Sequence, residues 1–218
     1  MTGVVPFDSP PSAGTSTPRV IAHLRAGKLV AYPTETVYGL GSLARPEPVA
    51  ALARLKGRQP GKPFLLLVSN REMVEAHGLA FNHAADALAK AFWPGPLTLV
   101  LPGGSGRLPD LLRGPEGGIA VRWTSHPLIA ALVAELGEPL TSTSANLPGQ
   151  VPGAGALAIV RDFAPAVDAG QLLVLDGGVL GNRPPSTVVD CTTPVARLVR
   201  PGALSQSQLR AAVGSLAP

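Results

Sequence analysis

Apolar residues along this chain fall into short runs of four or five, broken by glycine, proline and hydroxyl side chains, and into a few stretches with helical spacing. Leu29-Val30-Ala31-Tyr32 predicts a short buried strand that stops at Pro33, which cannot donate to a ladder, and at the hydroxyls of Thr34 and Thr36. Such an edge is where open α/β sheets present donors and acceptors to ligands. The runs at 64–68, 97–101 and 119–123 predict further buried strands, with others near 172–175, 187–189 and 196–199. A first helix is predicted from Thr17 as N-cap and Pro18 at the first helical position, through Val20, Ile21 and Leu24 to Gly27. Others are predicted over 46–55, from about Arg71 behind a capping Asn70, and over 83–92, where Trp93-Pro94-Gly95-Pro96 forbids continuation. Helical spacing returns over 127–136 with Gly137 as the stop, then over 156–163, and a terminal helix follows Ser205. Residues 103–118 read as loop with a turn at Leu111. Strands and helices mix without strict alternation, which predicts a single α/β domain on a mixed sheet. Residues 1–17, rich in proline, serine, threonine and glycine, read as a loose N-terminal leader.

Composition narrows the class. Of 218 residues 45% are hydrophobic and 15% charged, which argues for a packed domain and against disorder. Only 4% are aromatic, so the core must be built from leucine, valine, alanine and isoleucine. No window approaches the roughly 18 consecutive apolar residues of a membrane span, and no membrane contact is predicted. The N-terminus has neither the basic nor the apolar region of a signal peptide. A single cysteine, Cys191, excludes an internal disulfide and suits a reducing, cytoplasmic location. The net charge of +4 favours anionic partners such as nucleotides or nucleic acid, although the basic residues form no Lys/Arg run.

Several chemistries are excluded by spacing. The stretch 57–63 is one residue short of a Walker A loop, and Pro63 stands where a magnesium-binding hydroxyl is needed. There is no Gly-x-Ser-x-Gly elbow. His23, His77, His83 and His126 are isolated from one another, so no resident metal site is predicted; His126 reads as the start of a helix. What remains is a set of cations and hydroxyls at strand ends. Lys56 and Arg58 flank Gly57, and an arginine fork beside a lysine point charge suits phosphate or carboxylate, or else forms a solvated turn. Arg122 lies within an apolar run and requires a protein carboxylate or an anionic ligand. Ser142, Thr143, Ser144 and Asn146 crowd donors into a predicted turn, suited to phosphate and ribose oxygens or to its own backbone. Ser186 and Arg200 repeat the theme beside a proline or a strand end.

Taken in order, AYPTETVYGLG at 31–41, LKGRQPGKPFLL at 55–66, FWPGPLTLVLP at 92–102, GIAVRWTSHPLIAAL at 118–132, PLTSTSANLPGQ at 139–150, STVVD at 186–190 and VRPGAL at 199–204 carry a resemblance. The chain resembles the TsaC/YrdC family, the threonylcarbamoyl-AMP synthases, from about Ala22 to Leu209. The resemblance implies a YrdC-like catalytic domain over 18–213 with a twisted parallel/antiparallel sheet and a basic concave face, in the short single-domain bacterial form. It implies that L-threonine and bicarbonate or CO2 give an N-carboxylate, which attacks the α-phosphate of magnesium-bound ATP (Mg2+ entering with the nucleotide) to yield L-threonylcarbamoyl-AMP and pyrophosphate. Downstream proteins would pass the threonylcarbamoyl group to tRNA. The resemblance places Thr34, Arg122, Ser142 and Ser186 near threonine. It places Lys56, Arg58, Lys62, Ser144, Asn146 and Arg200 on the ATP side, with Lys56 and Arg58 as the catalytic cations.

The chain also departs from the family pattern. Lys62-Pro63-Phe64 replaces Asn-Pro-Leu, Leu67 stands where a histidine would fall, and Pro185 replaces a glutamate. Two other readings stand beside the synthase. One is a tRNA- or double-stranded-RNA-binding module without chemistry, disfavoured by the low aromatic content and the lack of a basic run. The other is a carbamoyl-handling relative of the hydrogenase-maturation proteins, whose zinc-finger-like and acylphosphatase segments do not occur in this sequence.

Overall fold

A computed structural model describes residues 3–57, 63–151, 153–181 and 183–217. Along the chain the elements are β1 (Val4–Pro6), α1 (Pro10–Arg25), β2 (Leu29–Tyr32), β3 (Gly39–Gly41), α2 (Pro46–Leu55), β4 (Leu65–Val68), α3 (Arg71–Ala76), α4 (His83–Phe92) and β5 (Leu97–Leu101). After one 3₁₀ turn at Asp110–Leu112 come β6 (Ile119–Trp123), α5 (Pro127–Leu136), β7 (Leu140–Ser144), α6 (Ala156–Asp162), α7 (Ala164–Asp168), β8 (Leu172–Asp176), β9 (Thr187–Asp190), β10 (Arg197–Arg200) and α8 (Gln206–Val213). The strands form one ten-stranded sheet in the order β1-β8-β2-β3-β7-β4-β6-β5-β9-β10. Pairing is parallel at β1–β8, β2–β8, β4–β6 and β5–β9 and antiparallel elsewhere, the mixed sheet that irregular alternation predicts.

The loose leader expected over 1–17 is corrected in its described part. Residues 4–6 pair in parallel with β8, and α1 starts at Pro10 behind Ser9, not at Pro18 behind Thr17. Ser9 and Ser12 form a reciprocal capping box, and Pro10 occupies the first turn, where a missing N–H costs nothing. Ala13, Ser16, Thr17, Val20, Ile21 and Leu24 make one continuous buried stripe. The Thr17 hydroxyl donates to Ala13 O (2.8 Å) inside the helix, and that of Ser16 donates to Pro6 O (2.8 Å). Loop-like composition hid a cap and a stripe. A second correction concerns 141–144: this is strand β7, held between β3 and β4, and the turn begins only after Ser144.

Paired residues share a face of a sheet and successive ones alternate. On one face Ala31, Leu66, Val68, Leu97, Leu99, Val121, Val174 and Val189 pack with Val49 and Leu52 of α2, Leu88 of α4, Ile159 of α6 and Leu209 of α8. On the other, Val30, Tyr32, Leu67, Leu140, Leu173 and Leu175 pack beneath Val20 and Leu24 of α1 and Ile129, Leu132 and Val133 of α5. Among the described residues this second cluster draws none from β5, β6, β9 or β10. Register puts Arg122 of β6 opposite Leu67, with Thr98 of β5 next to it and Val188 of β9 beyond. One half of this face is therefore covered by two helices, and the other carries polar groups.

The seam between the halves depends on two glycines in β3. Gly39 lies opposite Tyr32, and Gly41 opposite Val30, so both point toward the Tyr32 ring. A Cβ on Gly41 would stand 2.1 Å from Thr141 O and 2.9 Å from that ring; one on Gly39 would also meet the ring at 2.9 Å. Tyr32 is fully buried, and its hydroxyl donates to Thr141 O at 2.9 Å. Gly41→Ala must displace backbone and should cost about 2–3 kcal/mol of stability. In urea unfolding the midpoint should fall at unchanged slope; an unchanged midpoint would show that β3 tolerates a side chain.

Candidate active site

The polar half-face begins at the 33–38 loop between β2 and β3. Thr34 closes this loop on itself: its hydroxyl donates to Val37 O (2.6 Å) and accepts from the amides of Thr36 and Val37 (3.2 Å each). Its hydroxyl also lies 3.0 Å from that of Thr36. Thr34 is thus close to the site, with its oxygen already engaged.

Arg122 is 4% exposed and has the carboxylate its burial demands. Glu35 Oε1 lies 2.5 Å from its Nη2; its Nε donates to Gly95 O (3.2 Å) and its Nη1 to Thr36 Oγ1 (3.4 Å). The Glu35 contact lies off the N–H directions, so buried Nη2 makes no hydrogen bond among the described residues. Glu35 also accepts from the Thr124 hydroxyl (2.5 Å) and from the Ser125 amide and hydroxyl (3.1 Å each). Burial pushes the Glu35 carboxyl up, but Arg122, Thr124 and Ser125 outweigh it and hold the group below its ordinary value. Glu35 is the principal residue that sequence reasoning left without a role. The signal was present: it is the one acid of the 31–41 motif, and Arg122 required a carboxylate. His126 does open α5, without a side-chain cap; burial lowers its pKa, against the pull of Glu35.

Lys56 caps the C-terminal end of α2, where carbonyls favour a cation. Its ammonium donates to Ser144 O (2.9 Å), Asn146 Oδ1 (3.2 Å) and Asn146 O. The Ser144 hydroxyl donates to Asn146 Oδ1 (2.5 Å), and Asn146 Nδ2 donates to Leu147 O (3.1 Å) and Gln150 O (2.6 Å). Three sequence-predicted residues thus form one network, in which Lys56 orders the turn after β7. Arg58 and Lys62 lie outside the described residues.

Ser142 lies two residues before Ser144, on the face that carries Arg122, and borders Gly39. Ser186 shares a hydrogen bond with the Thr98 hydroxyl (2.9 Å), and Arg200 Nη2 donates to Ser186 O (2.7 Å) and Oγ (3.2 Å). Burial of its head, and then the like charge of Arg122, push Arg200 below the ordinary arginine value. Arg200 forms no ion pair with a carboxylate among the described residues. Tyr38, also without a predicted role, donates to Gly178 O (2.8 Å) and accepts from Gly177 N (3.0 Å), tying the segment after β8 to the 33–38 loop. The departures are apolar in fact: Leu67 is buried between Leu140 and Arg122, and Pro185 offers its carbonyl to the Ala203 amide.

These groups can bind and neutralise anions; they include no activated nucleophile. Burial, reinforced by Asp190, pushes the Cys191 thiol up to about 12. Among the described residues no group of three or more His, Cys, Asp or Glu could hold a metal ion, and no helix is long and apolar enough to cross a membrane.

The family model Sua5_yciO_yrdC, described as "Telomere recombination", matches residues 22–202. The chain is 36% identical over 194 residues to the threonylcarbamoyl-AMP synthase of Pyrococcus abyssi, covering 88% of this chain and 56% of that protein. It is 40% identical over 173 residues to the Chromohalobacter salexigens protein of the same name, covering 78% of this chain and 89% of the relative. The chain therefore spans little more than half the length of some curated relatives and most of the length of others. Its structure is similar to that of P. abyssi Sua5 complexed with L-threonine, with a TM-score of 0.88 and 32% identity over 98% of this chain and 62% of that one.

Replacing Lys56 by methionine keeps the stem and removes the ammonium from its carbonyl cage. Stability should fall by about 2–3 kcal/mol, with greater proteolytic nicking at 146–151. An unchanged denaturation midpoint would show that the turn stands without its cation.

Proposed function

Because the chain belongs to the Sua5/YciO/YrdC family, we propose that it is a threonylcarbamoyl-AMP synthase, converting L-threonine, bicarbonate or CO2 and ATP to L-threonylcarbamoyl-AMP and pyrophosphate. The observation that carries this reading is the likeness, over 98% of the chain, to a solved relative that holds L-threonine. The polar half-face adds to it, since Arg200 and Arg122 lie together there and Arg200 donates to the neutral oxygens of Ser186. Such a site favours an anionic occupant.

In this reading the amino-acid carbamate occupies the side formed by the 33–38 loop, Ser142 and Ser186, where Arg122 organises the loop. The nucleotide lies toward Ser144, Asn146 and Arg200, with Arg58 and Lys62 as further cations. A carbamate oxygen attacks the α-phosphorus, the bond to the bridging oxygen breaks, and pyrophosphate leaves. No general base is needed, because the carbamate is already anionic. Charge gathers on the phosphoryl oxygens and on the leaving group, so fixed donors supply the rate enhancement. Magnesium enters as part of the MgATP substrate. The product, a mixed anhydride, is an activated donor for proteins that modify tRNA, which sets the enzyme in the cytoplasm.

Pyrophosphate release from MgATP should require both L-threonine and bicarbonate, with threonylcarbamoyl-AMP identified by mass spectrometry. Arg200→Ala should lower kcat/KM about 100- to 1000-fold with the fold intact. Release indifferent to threonine would overturn the assignment.

A further inference from the structure

Glu35 is 14% exposed and is held by two other segments: by the charge of Arg122 from the end of β6, and by hydrogen bonds from Thr124 and Ser125 on the approach to α5. Its own segment, the 33–38 loop, is otherwise held by the Thr34 turn, by Arg122 on Thr36, and by Tyr38 on residues 177–178. A carboxylate offers about four acceptor positions; three donors occupy this one, and the Arg122 charge lies against it. None of these groups is a reacting atom in the proposed chemistry. They decide where the reacting atoms rest.

We infer that Glu35 is a positioning residue: its carboxylate clasps the 33–38 loop to Arg122 and to residues 124–125, and so sets the amino-acid side of the site without setting the nucleotide side. The inference rests on the synthase reading for its kinetic consequence, although the clasp stands on geometry alone. The nucleotide side is organised by a network of Lys56, Ser144 and Asn146, which among the described residues shares no hydrogen bond with Glu35. The two substrates should therefore respond differently when the clasp is cut. Glutamine preserves the size of Glu35 and turns one acceptor oxygen into a donor. Facing Arg122, Thr124 and Ser125, that amide places N–H against N–H and O–H, and the loop is released.

The charged and titratable groups facing Glu35 are Arg122 from β6 and His126 from α5. The folded-state pKa of Glu35 is depressed, so the clasp is complete above the ordinary carboxylate value of 4.5 and is lost as pH falls through the lower, folded value. E35Q should lack this acid transition.

The test compares the wild type, E35Q and Thr124→Val by amide hydrogen exchange and steady-state kinetics. In E35Q, amides of 34–38 and 124–126 should exchange about 10- to 100-fold faster, with exchange in α4 and β5 unchanged. The KM for L-threonine should rise by about the same factor, while the KM for ATP stays within about twofold. Thr124→Val removes one donor and should move both readouts in the same direction by less, so a poorly folding E35Q leaves a second variant to decide. Unchanged loop exchange in both variants would overturn the clasp. A lower melting temperature with both KM values unmoved, or moved together, would leave Glu35 merely structural and overturn the positioning role. Should the wild type release no pyrophosphate with threonine, the synthase reading fails; the exchange measurement still decides the clasp.

Discussion

A buried guanidinium is the constraint on which this site depends. Arg122 stands in a strand between Leu67 and Thr98, almost without exposure, where an unpaired charge would cost several kcal/mol. Its charge is balanced by Glu35 from the loop after β2, and its Nη1 and Nε donate to Thr36 of that loop and to Gly95 from the connection between α4 and β5. Because the alternative is an orphaned charge, these loops cannot drift apart cheaply. The geometry of the polar half-face follows from that one requirement.

The half-face exists because α1 and α5 cover only one side of the seam at β3, β7 and β4. Gly39 and Gly41 leave room for the Tyr32 ring to cross β3, and its hydroxyl donates to Thr141 O of β7 on the far side. Any side chain there would lift β3 from β7 and, with it, the 33–38 loop that reaches Arg122. Core packing on the covered half and ligand geometry on the open half are thus coupled through the same strand. The opposite face, buried along its length beneath α2, α4, α6 and α8, supplies the rigid backing.

Much of this was legible because it rests on local patterns. Apolar runs, prolines and glycines marked β2, β5, β6 and the helices from α2 to α5, and the demand of Arg122 for a partner could be read from one charge in an apolar strand. What escaped was non-local or disguised. β3 is two glycines around a leucine, a strand by virtue of its neighbours and not of propensity. β7 reads as a hydroxyl-rich turn, yet it lies centrally between two antiparallel partners. The N-terminal segment looked loose because its proline and serines suggested loop, although they form a capping box and a first turn. The roles of Lys56 and Thr34 were legible as polarity but not as geometry, since only the folded chain shows that their donors already have acceptors.

Donors that already have acceptors within the protein shape how the site works. Lys56, Ser144 and Asn146 satisfy one another, as do Thr34 and the loop backbone, and Glu35 and its donors. A ligand entering such a site gains less from each new hydrogen bond than from a set of bare donors, because protein bonds are exchanged for ligand bonds. What it meets instead is a surface whose donors are already in place, so little ordering entropy is spent as charge develops. Arg200 is the exception, since it folds onto the neutral oxygens of Ser186 while Arg122 repels it. In the synthase reading a phosphate takes the place of the serine carbonyl at this guanidinium and relieves the repulsion as well. The half-face is thus held in place through Glu35 and Lys56 and left without a carboxylate partner at Arg200 among the described residues, the arrangement expected where an anion is to be bound in one orientation.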